Sequence, residues 1–197
     1  MAITKTFKYI LSCCLLLSLN SQAAPPDQTS MLTNACAACH GTNGSSQGPA
    51  TPSIAGISLD YFIDSMTAFK EDERPATVMN RIAKGYTEEQ VILMAGFFSR
   101  QKMQITPQQH DPAMVKAGKD LHDTHCEKCH AKGGTVADDD SGILFGQKTP
   151  YLRYTISDIL NEERQISRKM FKRLRNIHDK TGQQGIEQLL NYYGSQQ

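Results

Sequence analysis

Two short stretches decide how this 197-residue sequence is interpreted: Cys36-Ala37-Ala38-Cys39-His40 and Cys126-Glu127-Lys128-Cys129-His130. Each has two cysteines three residues apart, followed at once by a histidine. On a helix, residues with this separation lie on one face, so two sulfurs can reach one flat ligand. The pattern is the attachment signature of c-type haem, in which the sulfurs add to vinyl groups and the imidazole binds iron. We therefore predict two covalently attached haem c groups, bound through Cys36, Cys39, Cys126 and Cys129, with His40 and His130 as iron ligands.

The sequence has six cysteines, and Cys13 and Cys14 lie in an N-terminal stretch that we predict to be removed. Other uses of the remaining four fit the pattern less well. An exported chain with four cysteines would by default form two disulfides, which leaves the histidine after each pair unexplained. Zinc sites built from two Cys-x-x-Cys units usually separate them by about 15–20 residues. Here 86 residues intervene. A thioredoxin-like redox pair does not explain two copies that share the same histidine position.

The N-terminus has the pattern of a secretory signal peptide. Lys5 and Lys8 precede an apolar run from Tyr9 to Leu19, and small residues follow at Ala23-Ala24. We predict a signal peptide over residues 1–23, with an uncleaved anchor as the alternative. The apolar run is shorter than the about 20 residues needed to cross a bilayer. The mature chain is therefore expected to be periplasmic and to have no membrane span.

The charge balance gives little support to nucleic-acid binding. The formal net charge is +1, and after loss of the leader 19 basic residues remain beside 20 acidic ones. No strongly positive field is left to attract phosphates. The chain has no tryptophan and only 7% aromatic residues, so two domains of this size would have thin cores. We expect the haems to complete those cores and the haem-free chain not to fold stably.

The two halves of the chain are related by a repeat of 90 residues. The repeat is visible in the pairs Gly56 and Gly146, Tyr61 and Tyr151, and Glu73-Arg74 and Glu163-Arg164. A period of this size indicates a duplicated domain rather than a solenoid unit. We predict a signal peptide at 1–23, a first haem domain at 24–100, a polar linker with prolines at 101–113 and a second haem domain at 114–197.

The secondary structure is predicted to be helical throughout. Helices are expected near residues 27–39, 58–71, 87–101, 113–129, 149–161, 164–178 and 183–194. Thr87 and Gln90 have the spacing of a capping box at the start of one of them. No stretch alternates for long enough to predict a strand, so the predicted class is all-α.

A sixth iron ligand decides whether a haem transfers electrons or binds a small molecule. After His130 the sequence has one methionine, Met170, which is 40 residues downstream. The repeat selects Met79, 39 residues after His40, as its counterpart. A thioether is a soft, neutral ligand that favours Fe(II) and raises the reduction potential relative to a second imidazole. We predict Met79 and Met170 as the distal ligands.

Other residues have plainer interpretations. Met66 and Met94 lie at helical spacing among apolar neighbours and are assigned to the core. His178 stays open as an alternative ligand of the second haem, although the first half has no counterpart. His122 and His125 are interpreted as solvated or as lying outside the iron's own ligands. Asp138-Asp139-Asp140 is interpreted as a solvated loop. The sequence predicts no catalytic residues.

Several segments outside the haem motifs carry a family resemblance. They are residues 78–86, Leu121-His122-Asp123 with the second haem motif, residues 149–154, residues 161–164 and Lys169-Met170. Through these segments the chain resembles the dihaem cytochrome c subunit of flavocytochrome c sulfide dehydrogenase. The resemblance implies two tandem cytochrome c-like domains, with the same four cysteine anchors and the same His and Met ligands predicted above.

The resemblance also implies a partner and a direction of electron flow. The partner is an FAD-containing flavoprotein subunit that forms a heterodimer with this chain and alone carries the FAD. In that family the flavin takes two electrons from sulfide, and the haems pass them singly to a soluble acceptor such as another cytochrome. The chain by itself is not expected to oxidise sulfide.

Two alternatives remain open. One is a free-standing dihaem cytochrome c that carries electrons to a terminal oxidase and needs no flavoprotein. The other is a dihaem peroxidase, which requires one iron able to lose its sixth ligand. Two low-spin, methionine-ligated haems without peroxide turnover would exclude the peroxidase, and co-purification of a yellow FAD protein separates the remaining two functions.

Overall fold

The computed structural model describes residues 27–136 and 141–195, and every regular element within those ranges is helical. The predicted all-α class is therefore confirmed. The predicted signal peptide at 1–23 and the acidic run at 138–140 lie outside the described residues.

The first half of the chain is built from short helices with well-defined starts. They are α1 (Gln28–His40), α2 (Leu59–Lys70), α3 (Met79–Ala83) and α4 (Glu88–Phe98). Side chains of Asp27, Ser58 and Thr87 accept a backbone N–H of the first turn of α1, α2 and α4. In α4 the Gln90 side chain also accepts the Thr87 N–H, so the predicted capping box is present.

The second half repeats this plan with one long final helix. Its elements are α5 (Pro112–His125), the short and distorted α6 (Ala131–Gly134), α7 (Thr149–Leu160) and α8 (Arg168–Gly194). α8 leaves the helical conformation at Gly182, where φ is 61° and ψ is −156°. The part of α8 before this break corresponds to α3, and the part after it corresponds to α4.

Two helix boundaries and one short helix differ from the sequence prediction for physical reasons. α8 begins at Arg168 rather than near 164, because Glu162 has φ 62° and the two N–H groups after it bond back to Asp158 O. α5 ends at His125, because the His122 carbonyl accepts from both residues 126 and 127 and widens the last turn. α3 was not predicted, since five residues are too few to show a helical period.

The duplication extends to the backbone hydrogen bonds. In each half the N–H groups of two adjacent residues bond to one glycine carbonyl, and a later glycine N–H bonds to the end of the last helix. The equivalent bonds are Ile54 and Ala55 to Gly44, Leu144 and Phe145 to Gly134, Gly56 to Phe98, and Gly146 to Tyr193. The repeat seen in the sequence is therefore a repeat of structure.

Each half has its own hydrophobic core. In the first half α2 and α4 pack together around the fully buried Met94 and Phe98, and Met66 is also buried there. In the second half α5 and α7 both pack on α8, around Ile159, Ile177 and Leu189. Met66 and Met94 are thus core residues, as predicted.

The two halves are joined by a reciprocal pair of hydrogen bonds. Arg74 Nη2 donates to the Tyr151 hydroxyl at 2.9 Å, and Arg164 Nη2 donates to the Tyr61 hydroxyl at 3.1 Å. The two arginines are 90 residues apart, and so are the two tyrosines. Each arginine therefore bonds to the tyrosine of the opposite half, which gives the interface an approximate twofold symmetry.

Further contacts at this interface are buried. Gln147 accepts the Ser53 N–H at 2.8 Å and donates to the Ser53 carbonyl at 2.9 Å. Burial alone would raise the pKa of Tyr61, but the charges of Arg74 and Arg164 outweigh it and lower that pKa. These contacts hold the halves in one relative orientation. Along the described part of the chain, no helix is both long and apolar enough to cross a membrane.

Candidate haem sites

The first predicted site lies at the C-terminal end of α1. Cys36 and Cys39 are one turn apart on this helix, and His40 is its last residue. His40 Nδ1 lies 2.8 Å from the Pro52 carbonyl oxygen. Because a carbonyl can only accept, Nδ1 carries the hydrogen and Nε2 has the lone pair that could bind a metal. Burial lowers the pKa of His40, although the bond to Pro52 acts in the opposite direction, so the ring is kept in its neutral, ligating form.

The second predicted site has the same geometry on a different local backbone. Cys126, Cys129 and His130 lie in the turns after α5, where the His130 N–H bonds to the Cys126 carbonyl at 2.9 Å. His130 is buried, and its Nδ1 lies 3.1 Å from the Gly142 carbonyl oxygen. Gly142 follows His130 by 12 residues, as Pro52 follows His40. The two imidazoles are thus oriented by equivalent carbonyl groups.

The first cysteine of each pair, Cys36 or Cys126, is partly buried, and the second, Cys39 or Cys129, is exposed. All four are unpaired, and none forms a disulfide. Burial raises the pKa of the Cys36 thiol to about 11, and the neighbouring Cys39 adds to the shift. Burial likewise raises the pKa of Cys126 to about 11. A redox-active Cys-x-x-Cys pair lowers the pKa of its nucleophilic thiol, so this geometry disfavours a thioredoxin-like function.

The predicted distal methionines lie on the same apolar surfaces as the cysteines. Met79 is the first residue of α3 and packs, partly buried, against the first core, as does Cys36. Met170 lies in the first turn of α8 and packs against the second core beside Cys126. In each half a thioether and a cysteine therefore border one core, and these donors fit a c-type haem held between histidine and methionine.

The alternative ligand His178 lies further along α8. It is eight residues beyond Met170, which corresponds to about 12 Å of helix. Met170 and Cys126 both pack against the second core.

The burial of His122 was not predicted from the sequence. Its side chain is completely buried, so it is not solvated. Nδ1 lies 2.9 Å from the Tyr193 hydroxyl and Nε2 lies 2.8 Å from a Glu127 carboxylate oxygen. The sequence signal for Glu127 was its position inside the haem motif, but the contact with Tyr193 spans 71 residues and needs the fold.

Comparison with known proteins places this chain in a family. A sequence model described as Cytochrome c matches residues 28–111. Cytochrome c-554(548) of Halomonas halodenitrificans is 33% identical over 70 residues, which cover 34% of this chain and 84% of that protein. The chain belongs to the cytochrome c family and is an electron-transfer protein of that kind. Cytochrome c domains imply covalently bound haem c, and two domains are consistent with two haems.

More specific relatives match parts of the chain. The cytochrome subunit of sulfide dehydrogenase from Chlorobaculum tepidum is 46% identical over 68 residues, or 34% of this chain and 61% of that protein. Cytochrome c4 of Pseudomonas aeruginosa is 27% identical over 132 residues, or 62% of this chain and 65% of that protein. The chain thus spans less than two thirds of the length of either relative.

Solved structures show the same fold over most of the chain. Reduced recombinant cytochrome c4 from Pseudomonas stutzeri superposes with a TM-score of 0.74 at 24% identity, covering 89% of this chain and all of that one. Cytochrome c4 of Acidithiobacillus ferrooxidans gives a TM-score of 0.71 at 22% identity, covering 82% of this chain and 99% of that one. The predicted architecture of two tandem cytochrome c domains is confirmed.

Proposed function

We propose that this chain is the dihaem cytochrome subunit of a periplasmic sulfide dehydrogenase and takes electrons from an FAD-containing flavoprotein subunit. The observation that carries the proposal is the 46% identity with the cytochrome subunit of sulfide dehydrogenase from Chlorobaculum tepidum. A relative described as a thiosulfate dehydrogenase electron acceptor, from Thiomonas intermedia, is 26% identical over 144 residues. Both names associate similar chains with the oxidation of sulfur compounds.

Within this proposal the donor residues have defined roles. Cys36, Cys39, Cys126 and Cys129 would anchor the haems through thioether bonds, and the iron ligands would be His40 with Met79 and His130 with Met170. A haem bound in this way carries one electron by cycling between Fe(II) and Fe(III). The carbonyls of Pro52 and Gly142 hold the two imidazoles with Nδ1 protonated, which presents Nε2 to the metal.

Met79 and Met170, as proposed iron ligands, favour electron transfer over binding of a substrate or oxygen at the iron. With both a histidine and a methionine bound, the iron would have no free position for substrate or oxygen, so each site would transfer charge only. It also raises the reduction potential relative to a second histidine, which suits a carrier that accepts electrons from a flavin. Two one-electron sites on one chain match the two electrons that a reduced flavin releases.

The domain boundaries and the leader belong to the same proposal. We assign residues 24–100 to the first cytochrome c domain, 101–113 to the linker and 114–197 to the second domain. The absence of helix between Phe98 and Pro112 supports a linker there. Residues 1–23 are proposed to direct export to the periplasm, where haem c is attached.

A second candidate function has its own support. A free-standing dihaem cytochrome that delivers electrons to a terminal oxidase fits the full-length structural similarity to cytochrome c4. It shares the haem sites with the first proposal and differs in needing no flavoprotein. The partner alone distinguishes the two functions.

Intact-mass measurement of the secreted protein tests the haem sites. We expect the mass of a chain beginning at Ala24 plus two haem groups. The mass of the bare processed polypeptide would contradict both candidate functions.

Purification from the native periplasm tests the partner. We expect the chain to elute with an FAD-containing protein in equal amounts, and sulfide to reduce the haems in that complex but not in the isolated chain. A dihaem protein that elutes alone and is oxidised by membranes containing a terminal oxidase would support the second candidate instead.

A further inference from the structure

The second domain contains a buried chain of polar side chains beside its proposed haem anchor. His122 on α5 is fully buried and lies between the Glu127 carboxylate, 2.8 Å from Nε2, and the Tyr193 hydroxyl, 2.9 Å from Nδ1. The Tyr193 hydroxyl is also within hydrogen-bonding reach of the Cys126 sulfur. The polar chain therefore runs from the partly exposed Glu127, through the core, to an atom that would be covalently joined to haem.

The first domain lacks these buried polar side chains although it has the same fold. The 90-residue repeat pairs His122 with Leu32 and Glu127 with Ala37. Tyr193 is paired with Phe98, because their carbonyls accept equivalent bonds from Gly146 and Gly56. Apolar residues thus close the first domain at all three positions. Packing does not require the polar side chains of the second domain, and burying them is costly without a function.

Glu127, His122 and Tyr193 can form two different arrangements of hydrogen bonds. The Glu127 carboxylate accepts the N–H groups of Lys132 at 2.8 Å and Gly133 at 2.9 Å, so it acts only as an acceptor. His122 Nε2 must therefore carry a hydrogen and donate it to Glu127. In neutral His122, Nδ1 accepts the Tyr193 O–H. When Nδ1 is protonated, it donates to the Tyr193 oxygen, and the phenol hydrogen is released to turn toward the sulfur of Cys126.

Charged and aromatic groups from two helices surround His122. Glu127 contacts the ring directly, and Asp123 on the same helix lies within 4.8 Å of that pair. Lys119 is paired with Asp123 at 2.5 Å. From α8, the rings of Tyr192 and Tyr193 face His122 with centroids 5.5 and 5.6 Å away. Arg173 on α8 acts electrostatically on Cys126, at the inner end of these polar side chains, and Glu127 is 40% exposed at the outer end.

We propose that Glu127, His122 and Tyr193 act as a proton-linked positioning group, which makes the reduction potential of the second haem, and not of the first, depend on pH. The inference rests on the proposed haem attachment at Cys126. Reduction adds one electron to the second site while His122 takes up one proton from solvent at Nδ1, and oxidation returns both. A protonated His122 and a phenol O–H that donates to the thioether both stabilise the reduced form, so the potential rises as pH falls.

Redox titration of the intact dihaem protein at several pH values tests this inference. We expect the potential of one haem to fall as pH rises from about 5 to 8, where histidines titrate, and that of the other to stay constant. A Met79→His background, which lowers the potential of the first haem, identifies the constant haem as the first.

Matched variants show whether the polar side chains tune the potential of the second haem or only stabilise the fold. Tyr193→Phe copies the residue of the first domain and removes only the hydroxyl, and we expect it to lower the second haem's potential at acidic pH and to weaken its pH dependence. His122→Leu, which copies Leu32, should abolish that dependence. His178→Gln and His125→Gln, in the same domain, should leave it unchanged.

The pH dependence of the two potentials decides whether the polar side chains have this role. Two pH-independent potentials in the unaltered protein would overturn it, as would a slope that survives His122→Leu or disappears in His125→Gln. Variants that lower thermal stability but leave the slope intact would show that the polar chain is only structural. A chain without covalent haem would instead remove the proposed function, so the two failures are distinguishable.

Discussion

At the scale of single residues, the two halves orient their histidines by the same device. Pro52 and Gly142 differ in side chain, yet each offers a backbone carbonyl 12 residues after its histidine. A carbonyl serves because the requirement is only for an acceptor at Nδ1. This hydrogen bond therefore tolerates a change of side chain at residue 52 or 142, provided that the backbone keeps its path.

Loss of a distal methionine should affect one haem and leave the other intact. In Met79→Ala or Met170→Ala, one iron loses its thioether, and one of two far-red Met-to-iron charge-transfer bands should disappear from the oxidised spectrum. The affected iron should also bind added imidazole. Optical spectroscopy of the two single variants measures both effects.

The control for this prediction is Met66→Ala. Met66 is buried in the first core, so its truncation should lower stability by about 2–5 kcal/mol and leave both bands present. Survival of both bands in Met79→Ala and Met170→Ala would show that the ligand assignment is wrong. Loss of a band only in Met66→Ala would show that the repeat alignment is misplaced.

At the scale of elements, the second domain depends on close packing of α5 against α8. Gly118 lies where the two helices meet, and a Cβ there would overlap the Gln188 carbonyl group and approach Tyr192 Cβ to 2.8 Å. The obstructing atoms are mostly backbone, which cannot rotate away. The separation of the two helices is therefore set by the absence of one side chain.

Gly118→Ala is expected to destabilise the protein by about 1–3 kcal/mol, because α5 and α8 must separate to admit the methyl group. Chemical denaturation of the haem-loaded protein measures the change in the free energy of unfolding. The haem band of the second domain should be lost at lower denaturant concentration than that of the first.

Gly96→Ala on α4 is the matched control. Its nearest neighbour would be the flexible Arg100 side chain at 3.5 Å, so there is room for the methyl group. Alanine is favoured over glycine inside a helix by about 1 kcal/mol, and the substitution should be neutral or stabilising. Equal destabilisation by both changes would mean that packing against α8 is not the cause.

At the scale of the whole molecule, exchanged arginine–tyrosine bonds join the domains. Tyr61 interacts with both Arg164 and Arg74, whereas the bond to Tyr151 comes from Arg74. Arg74 is 9% exposed, and its side chain also donates to Ser65 Oγ at 2.8 Å. Removing a phenol oxygen would leave a buried guanidinium short of an acceptor.

Tyr61→Phe is expected to destabilise the domain interface more than Tyr151→Phe. Each loss of a charged hydrogen bond should cost about 1–3 kcal/mol, and Tyr61 accepts from two arginines. Thermal unfolding followed at the haem bands should show the two domains melting more independently in Tyr61→Phe. Tyr154→Phe, at a residue 63% exposed, should leave the melting curve unchanged.

Two outcomes would contradict this view of the interface. One is equal stability of the two interface variants and the control. The other is unaltered cooperativity between the domains in Tyr61→Phe. Either result would assign the relative orientation of the domains to Gln147 and the linker rather than to the arginine–tyrosine bonds.

The sequence by itself determined the helical class and the duplication, and it predicted two haem sites. Cys-x-x-Cys-His is a local pattern, and its donors are brought together by a single turn whatever the rest of the chain does. The all-α class and the duplication follow from periodicity in the same way. The distal methionines could be predicted because a repeat transfers information from one half to the other.

Only the tertiary structure decided which distant groups meet. The burial of His122 against Tyr193, the exchange of Arg74 and Arg164 between the halves, and the contact of Gly118 with α8 join residues 70 or more positions apart. No local pattern encodes such contacts, because they depend on how helices pack rather than on how each helix forms. The difference between the two domains, which the repeat conceals, is therefore visible only in the folded chain.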